Sequence, residues 1–414
     1  MSFLLLLVPS FALAAYSLED SFKAALKRSE TVAIEEEQVQ QAEERYSRAR
    51  GSLFPTITGI GSFTRLPEPS GQETAFTKVE RPEARISATQ PIFRGLREFA
   101  ALKATKLDLS AEQDSKKAAT ILLYGDVAAN FYQILSVEQD LRNFREQIEL
   151  SQRRVTELSA RRRIGRSRTS EVLTVQSTVA NLEAQSAGLQ ALLVGAREAF
   201  AFLTGLDQQA VLKDTETLPK RIDSMQSFLK RIDQRPDITA LTKRSEVADQ
   251  NISIARGAHL PTVDVTGNYY LKRTGVQESQ KWDVTALLVV PIFSGGAIQS
   301  QVREATSVSR QSELVLSATR RRVEQEIRSL WQYVQTDQRQ LDALSRAAEL
   351  AERNYREQTK EYALGLVTNL DVLSALNVFQ DARRNLDRTR YQAKLDLIRL
   401  EAAVAIRPKL QLAR

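Results

Sequence analysis

The sequence contains two long stretches without proline, and each begins just after the same short motif. No proline lies between Pro91 and Pro219 or between Pro291 and Pro408. Proline within a helix removes a backbone hydrogen bond and clashes with the preceding turn, so proline-free stretches of this length favour very long helices. A helix over residues 96–161 would be ~100 Å long at about 1.5 Å per residue. That is far longer than a globular core requires.

The two stretches belong to an internal duplication. The motif Pro-Ile-Phe starts at Pro91 and again at Pro291, an offset of 200 residues. Upstream, a Pro-Thr pair starts at Pro55 and at Pro261, an offset of 206 residues. The offset of 200 also relates residues further along: Phe131 with Trp331, Gly165 with Gly365, and Glu171 with Asp371. The duplication predicts two structural repeats and a short tail: 15–218, 219–407 and 408–414.

Each repeat is predicted to contain a long helical hairpin. The breaks fall at Gly165 and Gly365, because glycine readily adopts the left-handed conformation that ends a helix. The hairpins then occupy about 95–204 and about 296–405. Apolar residues recur at spacings of three and four in both hairpins, which is typical of coiled coils. The second hairpin has small and polar residues in this pattern, among them Asp337, which predicts a looser or water-facing seam.

Each repeat also contains two segments of alternating polarity ahead of its helical hairpin. Apolar and polar residues alternate from Val263 to Leu271, and the pattern resumes at Trp282. Alternation over about ten residues is typical of a strand with one apolar and one polar face. Strand hairpins are therefore predicted at about 54–93 and about 260–293, each preceded by a helix. Four strands cannot close a barrel, since the smallest membrane-spanning barrels have about eight, so several chains must combine their strands.

The N-terminus has the pattern of a secretory signal peptide. Residues 1–14 contain no charged side chain and a run of four leucines, and they end in Ala-Leu-Ala. This pattern predicts cleavage after Ala14. No later stretch of the sequence approaches the roughly 18 to 20 apolar residues that a spanning helix needs.

The composition argues against an enzyme and against a nucleic-acid-binding protein. The chain has no cysteine and a single histidine, His259, which excludes thiolate chemistry and multi-histidine metal sites. It has no glycine-rich phosphate loop, nucleophile elbow or zinc motif, so no cofactor is expected. The net charge of +7 is typical of solvated helix faces. The signal peptide and the alternating strands also speak against nucleic acid.

A series of motifs resembles the TolC family of bacterial outer membrane channels over nearly the whole mature chain. The motifs are Gln234-Arg235-Pro236-Asp237-Ile238, Ala255-Arg256, Leu260-Pro261-Thr262, Pro291-Ile292-Phe293-Ser294-Gly295-Gly296, Tyr362, Gly365 and Asp371-Val372-Leu373. The resemblance implies a mainly α fold with a membrane β-barrel portion. The expected assembly is a homotrimer in which a twelve-stranded barrel, with four strands per chain, continues into a long α-helical coiled-coil tunnel in the periplasm.

The resemblance also implies a function. The expected protein is a passive exit duct in the outer membrane of a Gram-negative bacterium, surrounded by outer membrane lipid. It would serve a tripartite efflux pump or a type I secretion system, with a periplasmic adaptor and an inner membrane transporter as partners. Transporters of the RND, ABC and MFS classes fit the sequence equally. The alternative is a soluble periplasmic coiled-coil adaptor or scaffold, although adaptors ordinarily have one helical hairpin and this chain has two.

In the family the tunnel closes at its periplasmic tip, where carboxylates ring the pore. The resemblance places Asp371 in this constriction, and the duplication places Glu171 at the equivalent position of the first repeat. A ring of carboxylates attracts cations and repels anions. The alternative interpretation, compatible with the first, is that both acids cap the helices that return from the tips. The predicted tip turn and gate residues are Gly165, Gly365, Tyr362, Ser374 and Thr174, where serine and threonine replace a second aspartate found in some members.

A basic cluster lies beside the first tip and an acidic cluster beside the second. We hypothesise that these side chains form ion pairs between neighbouring hairpins and hold the tip shut. The residues concerned are Arg161, Arg162, Arg163, Arg166, Glu357 and Glu361. Exposed ion pairs contribute only ~0.2 to 1 kcal/mol each, so only a network repeated by symmetry could act as a latch. The alternatives are a contact for the adaptor and a solvated basic face.

Overall fold

The computed structural model of the chain describes residues 15–69, 71–72 and 74–408. The predicted signal peptide at 1–14 and nearly all of the predicted tail at 408–414 lie outside these residues. Within the described residues, no helix is both long enough and apolar enough to cross a membrane.

Two sets of helices and strands follow each other along the chain. The first set is α1 (Leu18–Arg28), α2 (Glu30–Gly51), β1 (Thr56–Arg65), β2 (Glu80–Arg94), α3 (Arg97–Arg163) and α4 (Thr169–Thr204). The second set is α5 (Met225–Leu229), a 3₁₀ turn (Ile232–Gln234), α6 (Pro236–Gly257), β3 (Thr262–Lys272), β4 (Trp282–Val289), α7 (Ala297–Ala363) and α8 (Asn369–Ala403).

The element bounds repeat with the offsets seen in the sequence. Helices α2 and α6 both have 22 residues, and α6 begins 206 residues after α2. Helices α3 and α7 both have 67 residues, and α7 begins 200 residues after α3. The predicted duplication and both predicted helical hairpins are therefore present.

The chain divides into two compact units. One unit contains the sheet and comprises Ile34–Lys117 and Pro236–Arg320. The other comprises Ala118–Arg235 and the described parts of Met1–Ala33 and Arg321–Arg414. We call them the sheet unit and the helical unit.

The sheet unit holds one antiparallel sheet in the order β1-β2-β3-β4. The two repeats meet at the β2–β3 pair, where the Thr89 and Thr266 hydroxyls are 3.0 Å apart. Strand β1 at one edge is exposed along its whole length, and β4 at the other edge is exposed at nearly every residue. Among the described residues, β1 pairs only with β2 and β4 only with β3, so each edge has backbone groups that a larger sheet would pair.

The two copies of the Pro-Ile-Phe motif differ in conformation. Strand β2 continues through Pro91 to Arg94 with a register shift between Pro91 and Phe93, whereas β4 ends at Val289, before Pro291. The second strand hairpin is thus shorter than the predicted 260–293. The physical reason is the extent of the partner strands. Residues 90–94 of β2 pair only with β3, since the pairing with β1 ends at Thr89, and a register shift accommodates Pro91 there. Val289 already lies opposite Thr262, the first residue of β3, so β4 has no partner beyond it.

Polar contacts join the helices of the sheet unit. Arg45 of α2 donates to Asp108 of α3 at 2.9 Å. Lys243 of α6 pairs with Asp114 of α3 at 2.5 Å, and Ser309 of α7 donates to Asp249 of α6 at 2.7 Å. These contacts place the helices in the order α2, α3, α6, α7.

The helical unit has an apolar core formed by α1, α3, α4 and α8. Its largest fully buried side chains are Phe131 and Tyr132 of α3, whose rings meet edge to face with centroids 5.4 Å apart. Other members are Leu18, Phe22, Ile134, Phe200, Leu395 and Ile398. Burying a large apolar side chain contributes about 1.5 to 3 kcal/mol, so this cluster anchors the C-terminal parts of α4 and α8 against the middle of α3.

Candidate functional site at the hairpin tips

Both helical hairpins turn at glycines with left-handed backbone. Helix α3 ends at Arg163 and α4 begins at Thr169, with Gly165 at φ +75° between them. In the second hairpin Gly365 has φ +78°. We call these turns the first tip and the second tip. The predicted turn glycines are thus found in the conformation that glycine tolerates best.

Asp371 caps the first turn of α8. Its Oδ2 accepts hydrogen bonds from the Thr368 backbone nitrogen at 2.8 Å and from the Thr368 hydroxyl at 2.6 Å. The Thr368 hydroxyl in turn accepts from the Asp371 backbone nitrogen at 3.4 Å, which completes a capping box. The hydrogen bond from the Thr368 side chain, followed by that from its backbone, lowers the pKa of Asp371, so this carboxylate is ionised at neutral pH.

Glu171 has the same role at the start of α4. Its Oε2 accepts from the Ser167 hydroxyl at 2.5 Å and from the Arg168 backbone nitrogen at 3.0 Å. The Ser167 hydrogen bond is the largest cause of the lowered pKa of Glu171. Arginine occupies the position that threonine has in the second repeat, and the preceding serine supplies the hydroxyl. The cap interpretation of both acids is therefore confirmed.

Tyr362, near the end of α7, lies beneath two arginines of α3. The guanidinium carbon of Arg154 is 3.8 Å from the centroid of its ring, and that of Arg161 is 4.7 Å away. A guanidinium above an aromatic ring is attracted by about 0.5 to 2 kcal/mol, most when both groups are shielded from water. The side chain of Arg154 is 11% exposed, so the stronger end of this range applies to it.

Arg154 also binds the second hairpin through a hydrogen bond. Its Nε donates to Oδ1 of Asn369, the first residue of α8, at 2.8 Å, and its Nη1 donates to Glu157 at 2.7 Å. A small apolar cluster lies at the same level, formed by Leu158, Val172, Val175 and Leu373 with Val155 and Tyr362 at its edge. One arginine of the first hairpin thus contacts both helices of the second hairpin.

The remaining predicted tip residues are exposed or pair within their own helix. Arg161 pairs with Glu157 at 2.9 Å, and Glu357 pairs with Lys360 at 2.7 Å. Between the described residues of one chain, no ion pair joins the predicted arginines to Glu357 or Glu361. The latch between neighbouring chains stays a prediction. Ser374 and Thr174 are exposed, and the Thr174 hydroxyl donates to the carbonyl of Ser170 on its own helix at 2.8 Å.

Above the tips, helices α3 and α8 face each other through polar side chains. The contacts across this boundary include Arg388 to Asp140 at 2.5 Å, Asn143 to Asp387 at 3.0 Å, and Arg384 to Gln147 at 2.7 Å. We call this set of contacts the polar seam. Separated polar groups regain hydrogen bonds from water, so a polar seam opens at a lower cost than an apolar one.

Comparison with known proteins places this architecture in a family. The family model described as outer membrane efflux protein matches residues 22–206 and 230–405. The chain belongs to the outer membrane efflux protein family. The two matched segments correspond to the two structural repeats.

Individual members of the outer membrane efflux protein family are similar over most of their length. The outer membrane protein TolC of Vibrio cholerae is 25% identical over 306 residues, covering 71% of this chain and 70% of TolC. The pyoverdine export outer membrane protein OpmQ of Pseudomonas putida is 26% identical, covering 95% of this chain and 86% of OpmQ. The crystal structure of VceC, an outer membrane protein of V. cholerae, superposes with a TM-score of 0.83 at 20% identity, over 94% of this chain and 95% of VceC.

The family assignment confirms the main predictions. This outer membrane efflux protein is mainly helical, with a duplicated helical architecture and four strands per chain for a membrane β-barrel. Its location is the outer membrane of a Gram-negative bacterium, with the helices in the periplasm. Its function is that of an exit duct for efflux or secretion. The alternative of a soluble periplasmic adaptor does not fit, since the family match covers both repeats.

The tip contact of Arg154 was not expected from the sequence. Arg154 is one of seven arginines between Arg153 and Arg168, and no local pattern distinguishes it from the others. No local pattern indicates Asn369 as its partner either. A signal for the capping residues did exist, because Thr368 and Asp371 have the spacing of a capping box.

Proposed function

We propose that three copies of this chain form one outer membrane channel, a passive conduit whose periplasmic end is closed by contacts between the hairpins. The two open edges of the sheet support the assembly. Strand β1 of one chain and β4 of the next would pair, and three chains would give twelve strands with no free edge. The outward side of such a barrel contacts outer membrane lipid.

The channel would work with a periplasmic adaptor and an inner membrane transporter, which supplies the energy and selects the substrate. The helices of one chain offer no nucleotide-binding loop, as the sequence shows. Opening and closing are then the part of transport that the channel itself performs. Adaptor docking would bias the tips towards the open state because the adaptor binds that state more tightly.

The proposed gate is supported mainly by the position of Arg154 against Tyr362 and Asn369. This arginine holds α7 and α8 of the second hairpin against α3 of the first. If the second hairpin moves outward on opening, these contacts break first, and the polar seam above them exchanges its hydrogen bonds for water. Asp371 and Glu171 would line the constriction, where a ring of three or six carboxylates attracts cations.

Single-channel recording in planar bilayers tests the proposal. We expect the purified trimer to conduct weakly, and the Arg154→Gln variant to have an open fraction about fivefold larger for each ~1 kcal/mol of contact energy lost. Arg153→Gln is the matched control, because Arg153 is exposed and its ion pair in the described part of the chain is with Glu149 on its own helix. A purified protein that forms no channels would refute the channel assembly. Channels in which both variants behave like the native protein would refute the role of Arg154.

A further inference from the structure

The two tips differ in charge although they are copies of one another. At the offset of 200 residues, Arg162, Arg163 and Arg166 of the first tip correspond to Tyr362, Ala363 and Leu366 of the second. Residues 161–171 contain five arginines and one glutamate, whereas residues 361–371 contain two acids and no base. The duplication thus isolates a basic surface that the fold itself does not require.

Arg162, Arg163 and Arg166 are accessible to solvent and to dissolved ions. All three side chains are exposed. Within residues 15–69, 71–72 and 74–408, the ion pairs at the first tip are made by other arginines, namely Arg153, Arg154 and Arg161. Arg162, Arg163 and Arg166 therefore contribute charge to the first tip without holding it together.

The acids near the first tip do not neutralise this charge. Glu157 is already shared by Arg154 and Arg161, and Glu171 caps α4 through Ser167 and the Arg168 backbone. Glu149 pairs with Arg153 one turn of helix away. The first tip thus retains a positive field towards the solvent.

We infer that the periplasmic mouth of this channel attracts anions through a ring of Arg162, Arg163 and Arg166 contributed by each chain. The inference rests on the proposed trimer with its tips at the entrance. Rings of arginine or lysine favour anions in pores, and clefts lined by one sign of charge raise the local concentration of the opposite sign by roughly tenfold or more. Solutes with carboxylate, phosphate or sulfate groups are the class that this mouth enriches.

The arginine ring and the carboxylates act in series and in opposite directions. Asp371 and Glu171 are held at helix starts by their caps, while the arginines stand in the turn and the helix end beside it. Removing the arginines therefore moves selectivity towards cations, and removing Asp371 moves it towards anions. The two effects identify the two rings separately.

Reversal potentials across a KCl gradient test the inference. The test variant is Arg162→Gln/Arg163→Gln/Arg166→Gln, and the control is Arg142→Gln/Arg145→Gln/Arg153→Gln, which removes the same charge from α3 further from the tip. We expect the native channel to prefer chloride, the test variant to lose about tenfold of that preference in dilute salt, and the control to keep it. In 1 M KCl the preference should nearly vanish, because the Debye length falls to about 3 Å.

Selectivity is measured both with the native gate and with the gate loosened, so the result does not depend on how often the channel opens. The two triple variants are measured in the native background and with Arg154→Gln added. A native channel that prefers potassium, or a test variant with native selectivity, overturns the inference while leaving the channel assembly intact. Loss of pump-dependent efflux in cells with unchanged selectivity would instead assign the arginines to the adaptor contact, which also overturns it. Size-exclusion chromatography of each variant confirms that the trimer is intact.

Discussion

Asp337 of α7 and Asp396 of α8 are both buried, and the charge of Asp396 disfavours ionisation of Asp337. The exposed fractions of Asp337 and Asp396 are only 8% and 5%. Asp396 accepts hydrogen bonds from Gln392 at 2.8 Å and from Arg399 at 3.4 Å, whereas Oδ2 of Asp337 has no hydrogen-bond partner among the described residues. Burial, and then the charge of Asp396, raise the pKa of Asp337 to about 6.

The first repeat has apolar residues at the equivalent positions. Val137 and Ala196 stand 200 residues before Asp337 and Asp396, and both are buried. The sequence predicts a looser or water-facing seam in the second hairpin. Asp337 does not face water, since it is buried on the same helix face as Val334 and Ile327.

Asp337 should make the protein more stable in mild acid. Its folded pKa is higher than its unfolded value, so between about pH 4 and pH 6 the folded state binds more protons and the stability falls as pH rises through 6. We expect a melting temperature higher at pH 5.5 than at pH 7.5 by roughly 1 °C, for an effect of about 1 kcal/mol after screening in a chain of 414 residues. Circular dichroism in detergent measures it. Asp337→Val/Asp396→Ala, which restores the pair of the first repeat, should remove this component, and an unchanged pH dependence would contradict it.

Three substitutions separate the cap from the charge at Asp371. Asn in place of Asp371 removes the charge but keeps a cap acceptor, Ala removes both, and Thr368→Ala removes the cap hydroxyl but keeps the charge. If Asp371 attracts cations in the pore, Asp371→Asn and Asp371→Ala should both shift the selectivity in planar bilayers further towards anions. Thr368→Ala should not change it, although the loss of the cap costs about 0.5–2 kcal/mol. If Asp371→Ala keeps the native ion selectivity, the role in ion selection is refuted and capping is the role that remains for Asp371.

The polar seam predicts different effects for two neighbouring arginines. Arg384 donates to Gln147 and its guanidinium carbon lies 4.4 Å from the ring centroid of Phe144, while Arg383 makes a more exposed pair with Glu146. Arg384→Ala should loosen α8 from α3 and raise the leak conductance, by about fivefold in open fraction for each ~1 kcal/mol lost. Arg383→Ala should change it by less than twofold, since exposed pairs are weak. Equal leak in both variants would show that the seam does not restrain the gate.

The joint between β2 and α3 should tolerate no side chain at Gly95. This residue has φ +70°, and a Cβ there would lie 2.2 Å from the carbonyl oxygen of Gly257. Its counterpart Gly295 has φ +63° but open space around a Cβ. Gly95→Ala should prevent accumulation of trimer in the outer membrane, whereas Gly295→Ala should cost about 1–2 kcal/mol and still assemble. Heat-resistant trimer in membrane fractions is the readout, and similar amounts for both variants would argue against the close approach.

Much of the fold could be predicted because its signals are local. The helix that was expected over residues 96–161 spans Arg97–Arg163, and the strand expected from Val263 to Leu271 spans Thr262–Lys272. Glycines at the turns and acids at the helix starts act on their own backbone, so their roles can be inferred from neighbouring residues. Strand ends were less certain, since β4 stops before Pro291 while β2 continues through Pro91.

The sequence by itself determined the duplication, the length of the hairpin helices, the glycine turns and the caps, because each depends on residues close together in the chain. Only the tertiary structure decided that Arg154 lies over Tyr362 and that the charge of Asp396 acts on Asp337. Residues 154 and 362 are far apart in the chain, and one arginine among seven gains its contact only from the packing of α3 against α7 and α8. The physical reason is that periodicity indicates which face of a helix is buried, while the partner on that face is set by how the helices pack.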